Sequence, residues 1–154
     1  MSEEKKQDFR VVPGAWELSG YNFRVEGRGM RLMMQGMKEG KFTGIRCGSC
    51  GMVYLPGPFY CRKCLVEIEE PVDVGDHGTI RSFTATMSDI RGNPLPEPQV
   101  TLMVQLDGCD SWIMGVLRDV DWREVRIGQR VKVKWRPSEE RTGSLQDMDC
   151  FEYE

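Results

Sequence analysis

Apolar residues recur along the chain with two different periods, and the switch between them divides it. Between Gly29 and Gly40, Met30, Met33, Met34 and Met37 fall at helical spacing on one stripe, with Arg31, Gln35, Lys38 and Glu39 mostly on the other side. This predicts a short amphipathic helix, weakened at Gly36 and ended by Gly40 in a left-handed turn. A helix this short needs a neighbour to pack on. From Gly78 onward the period is two. Residues 79–87, 100–106, 112–116, 130–136 and 147–153 read as five strands, with Asn93-Pro94 and Asp107-Gly108 marking turns. Val120, Trp122 and Val125 suit one or two helical turns before Gly128, between the third and fourth strands. That order is the one expected of an OB-type Greek-key barrel, which closes a short sheet on itself.

Before the helix the pattern weakens. Residues 1–8 are charged and read as a tail, and Trp16, Leu18, Tyr21, Phe23 and Val25 are spaced partly like strand residues around Ser19-Gly20. They predict an extended hairpin or strap. Glu67, Glu69, Glu70, Pro71 and Asp73 mark residues 67–76 as a connector into the barrel.

A chain of 154 residues suits one core and one satellite. Its formal charge of -3 gives no general attraction to phosphate backbones or acidic membranes. No apolar run approaches the roughly 20 residues that span a bilayer, and the charged start is unlike an export signal, so the expected location is the cytoplasm, with no membrane partner. Six cysteines in such a chain point to metal before disulfides.

Cys47-Gly-Ser-Cys50 and Cys61-Arg-Lys-Cys64 each set two sulfurs at the spacing by which a tight turn aims both at one tetrahedral ion. Gly48 and Gly51 allow a first knuckle whose backbone N–H groups face the sulfurs, and Arg46, Arg62 and Lys63 help neutralise them. Structural Zn2+ is the expected ion; a redox dithiol and a rubredoxin-type iron are the rivals. Four protein ligands leave no open position for water, so the ion organises the fold and performs no chemistry. The fold class expected is therefore mainly β: an N-terminal helix and rubredoxin-like zinc ribbon followed by a five-stranded OB-type barrel. Its divisions are residues 1–28 (tail and strap), 29–70 (helix and ribbon) and 71–154 (barrel).

No catalytic residue is assigned. His77, the only histidine, sits in a turn sequence; Cys109 lies in a turn flanked by acids, and Cys150 alternates in the last strand as a small core residue. The carboxylates at Glu67 to Glu70, Glu139, Glu140, Asp147 and Asp149 lie in polar stretches with no sign of burial. There is no phosphate-gripping glycine loop and no Ser-His-Asp order.

Two surfaces suit binding. Arg130, Lys132, Lys134 and Arg136 alternate with Val131, Val133 and Trp135, giving one strand face four positive charges, either a phosphate-contacting stripe or an ordinary solvated face. The stripe Met30, Met33, Met34 and Met37 either packs onto the ribbon or barrel or offers a malleable surface to an acyl chain or partner protein. Nucleic acid is the disfavoured partner, because four thiolates against one dication would add two negative charges to the formal -3. A single-strand-binding module remains the alternative function.

A helix, Cys-Gly-Ser-Cys-Gly, a Pro-bearing spacer, Cys-Arg-Lys-Cys-Leu, then Gly78-Thr-Ile-Arg-Ser-Phe-Thr84 and Arg126-Ile-Gly-Gln-Arg-Val131 together resemble the acyl-CoA-associated zinc-ribbon/OB-fold family. The likeness covers about residues 30–153. Members of that family are accessory subunits or fused domains of thiolases, of a ketoacyl-CoA-forming synthase assembly and of certain enoyl-CoA hydratases. The resemblance implies a hetero-oligomer in which a thiolase-like partner carries the catalytic residues, and CoA or acyl-CoA binds at the interface. A free-standing chain of this length is also similar to the small subunits of benzoylsuccinyl-CoA thiolases from anaerobic toluene breakdown. The aromatic segment from Trp16 to Val25 departs from the shortest members and reads as a partner-wrapping addition.

Overall fold

The computed structural model describes residues 27–154. The expected tail and strap at residues 1–26 lie outside the described residues.

Helix α1, Arg28–Glu39, closes on Gly40 in the left-handed conformation, φ 77°, whose N–H bonds to the Met37 carbonyl at 2.9 Å. Gly29 and Gly36, seven residues apart and so on one face, explain how it docks. A Cβ on Gly29 would collide with the Gly57 carbonyl, and one on Gly36 would lie 2.8 Å from Thr43 Oγ1. The helix thus gives up propensity at Gly36 to let its backbone press on the ribbon.

The ribbon is a three-stranded sheet in the order β2-β1-β3, with β1 at Phe42–Arg46, β2 at Val53–Tyr54 and β3 at Glu70–Val74. All five β3 residues pair antiparallel with β1, from Phe42↔Val74 to Arg46↔Glu70. The connector read from sequence is therefore largely a ribbon strand. Its acids and Pro71 obscured it, yet Val74 is buried and Val72 packs on the core while Glu70, Pro71 and Asp73 stay exposed, as an edge strand permits.

The barrel strands are β4 (His77–Ser88), β5 (Pro94–Leu106), β6 (Trp112–Leu117), β7 (Arg130–Trp135) and β8 (Met148–Tyr153). They close in the order β4-β5-β6-β8-β7, with β7 returning to β4 through His77↔Lys132, Gly78↔Val131 and Thr79↔Arg130. A 3-10 turn at Trp122–Glu124, N-capped by the Asp121 carboxylate, occupies the predicted helical position. Inward positions alternate as the sequence pattern requires: Leu102, Val104 and Leu106 on β5, Val131 and Val133 on β7.

One apolar core runs through both parts, from Met33 and Met37 through Phe42 and Val74 to Ile80, Leu102 and Phe151. At the seam the Phe42 and Trp135 rings lie 4.8 Å apart at 49°. Trp135 Nε1 is buried there without a hydrogen-bond partner.

One expectation about carboxylates fails. Asp147 is only 2% exposed, in a 3-10 turn just before β8. Its oxygens accept the backbone N–H groups of Thr142 at 3.0 Å, Gly143 at 2.7 Å and Ser144 at 3.1 Å. Burial pushes its pKa up, but these N–H groups together outweigh burial and hold it below the ordinary value. The polar stretch around it hid this, because the cavity is made by the loop's own backbone folding over the carboxylate.

Candidate metal centre

The two Cys-x-x-Cys turns fold the same way. Cys47 N–H bonds to the Met52 carbonyl and Gly51 N–H to the Cys47 carbonyl, both at 2.8 Å; Cys61 N–H bonds to Val66 at 2.8 Å and Leu65 N–H to Cys61 at 2.9 Å. These matched knuckles bring the sulfurs of Cys47, Cys50, Cys61 and Cys64 within 4.8 Å of one another. Cys50 and Cys61 Sγ are 3.6 Å apart. Tetrahedral geometry with metal–sulfur bonds of about 2.3 Å requires sulfurs about 3.8 Å apart, so the cluster has the size and donor set to hold one metal ion.

The surroundings favour thiolate at Cys61. Tyr54 O–H, buried, donates to Cys61 Sγ at 3.3 Å, and Cys64 N–H does so at 3.4 Å. The Tyr54 hydrogen bond is the chief cause that brings the Cys61 thiol down to about 6. At Cys50 a backbone contact with Met52 lowers the pKa, but burial and the three neighbouring thiols lift it to about 12. Four thiols this close oppose one another's ionisation, and a dication among them would stabilise all four as thiolates. Ile45, Tyr54 and Ile68 wall the site.

The cage is tied to the barrel by a clasp. Val53 N–H donates to the Asp110 carboxylate at 2.8 Å while Asp110 N–H returns to the Val53 carbonyl at 2.8 Å. Leu55 N–H donates to Ser111 Oγ at 2.7 Å, and Ser111 O–H donates to the Leu55 carbonyl at 2.9 Å. The β5–β6 turn therefore grips the edge of β2 that faces away from β1, at the residues on either side of Tyr54. Cys109, in that turn, is buried with its Sγ 3.3 Å from Ser111 Oγ.

The other sequence-selected residues are not drawn to one place. Met33 and Met37 sit in the core, and Met30 and Met34 are partly buried. On β7, Arg130 forms a fork with the Asp107 carboxylate at 2.7 and 2.6 Å and bonds Glu154 at 2.9 Å. Lys132 pairs with Glu152 at 3.1 Å; Lys134 and Arg136 are exposed. Half of the basic stripe is thus matched by carboxylates from the β5–β6 turn and from β8 and its end. His77 contacts Glu154 at 3.1 Å, and Cys150 is buried, which raises its pKa. Tyr54, Asp110 and Ser111 were missed by sequence reasoning. The apolar Val53-Tyr54-Leu55 run just after the first knuckle is the signal that points to Tyr54.

Among the described residues, no helix is long and apolar enough to cross a membrane.

Residues 71–136 match the family model for the ChsH2 C-terminal OB-fold domain, a span running from β3 to just past β7. A DUF35 domain-containing scaffold protein of Methanocaldococcus jannaschii is 27% identical over 94 residues, 60% of this chain and 66% of that relative. The match thus spans just under two thirds of that relative's length. A solved DUF35-family protein of unknown function from Sulfolobus solfataricus has a TM-score of 0.66 at 21% identity, covering 83% of this chain and 87% of its own. The Ltp2-ChsH2(DUF35) aldolase has a TM-score of 0.60 at 16% identity, covering 86% and 98%. At these identities the likeness is one of fold, and it agrees with the mainly β fold class expected from the sequence: a helix, a four-cysteine ribbon and an OB barrel.

Proposed function

We propose that this chain is a zinc-bearing, non-catalytic accessory subunit of a thiolase-like acyl-CoA complex. The observation that carries the reading is the closed cage of Cys47, Cys50, Cys61 and Cys64, walled by Tyr54 and clasped to the barrel. Its four donors fit a structural Zn2+, which would supply rigidity and no reaction step. The barrel's match to a ChsH2 domain, a relative named as a scaffold and a structural neighbour named as a two-part aldolase all favour a supporting role beside an enzyme. The partner would supply the nucleophilic cysteine that takes the acyl group from a β-ketoacyl-CoA and passes it to free CoA. CoA would then lie between the two polypeptides. Benzoylsuccinyl-CoA is the first substrate to assay, on the sequence resemblance alone.

The test is co-expression with a thiolase-like protein from the same organism. The expected result is a co-purifying complex that needs both chains for thiolysis. Full activity in the large subunit alone, with no association, contradicts the proposal. An enoyl-CoA hydratase partner would keep the scaffold role and change the reaction. The single-strand-binding alternative is weakened because Arg130 and Lys132 are already matched by carboxylates.

A further inference from the structure

The two knuckles share one backbone plan, and at one position of it the second carries a residue that the plan does not favour. Gly51 and Leu65 each follow the second cysteine, each donates its N–H to the first cysteine's carbonyl, and each has a positive φ, 77° and 57°. Glycine adopts that conformation without steric cost, whereas a leucine Cβ crowds the following carbonyl. The only other described non-glycine residue with positive φ is Asp119, a residue type that tolerates it. The second knuckle therefore holds a leucine where its twin has glycine, and the leucine gains no burial by it: Leu65 is 78% exposed. Strain and solvent exposure at one side chain have no account among the described residues.

The neighbours share the exposure. Phe59, Tyr60 and Val66 are 60%, 59% and 41% exposed on the same knuckle, an apolar density unusual for free surface. Arg62 and Lys63 lie between the cysteines, exposed, with no carboxylate within ion-pair distance among the described residues. They also line a groove that continues over Met52 and Met103 to Trp112, itself 49% exposed.

We propose that the second knuckle is the docking knob of this chain, with Leu65 as its central anchor and Arg62 and Lys63 as its charged flank. Its occupant is a protein surface that offers an apolar pocket rimmed by carboxylates, complementary to a knob whose two cations meet no carboxylate among the described residues. This rests on the accessory-subunit reading and identifies its contact face. The metal cage holds the knob rigid, so the partner orders little on binding, and the strain at Leu65 is compensated only in the complex.

The probe is a purified thiolase-like protein from the same organism, titrated with full-length wild type, Leu65→Gly, Leu65→Asn, an Arg62→Glu/Lys63→Glu double variant, and Ile90→Ser as a control at the far hairpin tip. Leu65→Gly relaxes the backbone, so the isolated chain keeps its metal content and an equal or higher Tm. Its Kd for the partner rises by at least about tenfold, as does that of Leu65→Asn, which tolerates the same φ. The charge reversal weakens binding and inverts its salt dependence, because added salt then screens a repulsion; Ile90→Ser changes nothing. Wild-type affinity in Leu65→Gly and Leu65→Asn overturns the proposal while leaving the accessory role standing. A lower Tm or metal loss in Leu65→Gly also overturns it, by giving the leucine a role inside the ribbon. Absence of wild-type binding defeats the accessory reading and this inference with it.

Discussion

The ribbon and the barrel solve the same problem, holding short strands together, by different means. The barrel closes five strands on themselves, and Ile80, Val100, Leu102, Val104, Val131 and Phe151 fill its interior at 2% exposure or less. The ribbon has strands of five, two and five residues, too little ladder to stand alone. Its own cluster is Ile45, Cys47, Tyr54, Cys61 and Ile68, two of them sulfur ligands. The barrel is therefore closed by its own apolar contacts, whereas the ribbon adds to its share of the common core a four-cysteine cage of the size to hold an ion. Rigidity has been placed in the half that exposes the knob.

Metal removal separates the two halves most sharply. Structural zinc sites contribute on the order of 10 kcal/mol to the folding of small domains, so a chelator, or Cys61→Ser, should abolish amide protection in β1 and β2. Protection in β5 and β7 should persist. Hydrogen exchange reads both at once; equal loss in both halves would mean that the shared seam, not the cage, governs the ribbon.

The seam gives the next largest effect. Phe42 is 2% exposed against Trp135, and Phe42→Ala should cost about 3–5 kcal/mol and lower the denaturation midpoint of ribbon and barrel together. If only the ribbon transition moves, the halves are less coupled than the continuous core implies.

Asp147 sharpens the comparison by a smaller amount. Asp147→Asn should cost about 1.5–3 kcal/mol at neutral pH by weakening hydrogen bonds to a charged acceptor. The folded carboxyl lies below its ordinary value of 3.8, so its contribution is complete above that pH and is lost as pH falls through the folded value. Wild type should therefore lose stability through that acid window more steeply than Asp147→Asn. Parallel acid-unfolding curves would remove Asp147 from the account.

What the sequence disclosed follows from range. The cage was legible because each knuckle is a local turn, and α1 and the barrel strands because their periods are local too. Strand β3 was not, since its exposed acids conceal a pairing set by β1 some thirty residues earlier. Matching of Arg130 by Asp107 and Glu154 depends on strand order, which no local pattern carries. Leu65 was legible and went unread: the second knuckle departs from the first at the one position where its backbone asks for glycine.

We propose that a metal-organised module lends its surface to a second, catalytic polypeptide. Native mass spectrometry of the co-expressed proteins tests this in one spectrum. The expected spectrum is that of a hetero-oligomer whose mass includes this chain, about one zinc per copy and the thiolase-like subunit. A metal-free chain running alone beside an active large subunit would contradict it.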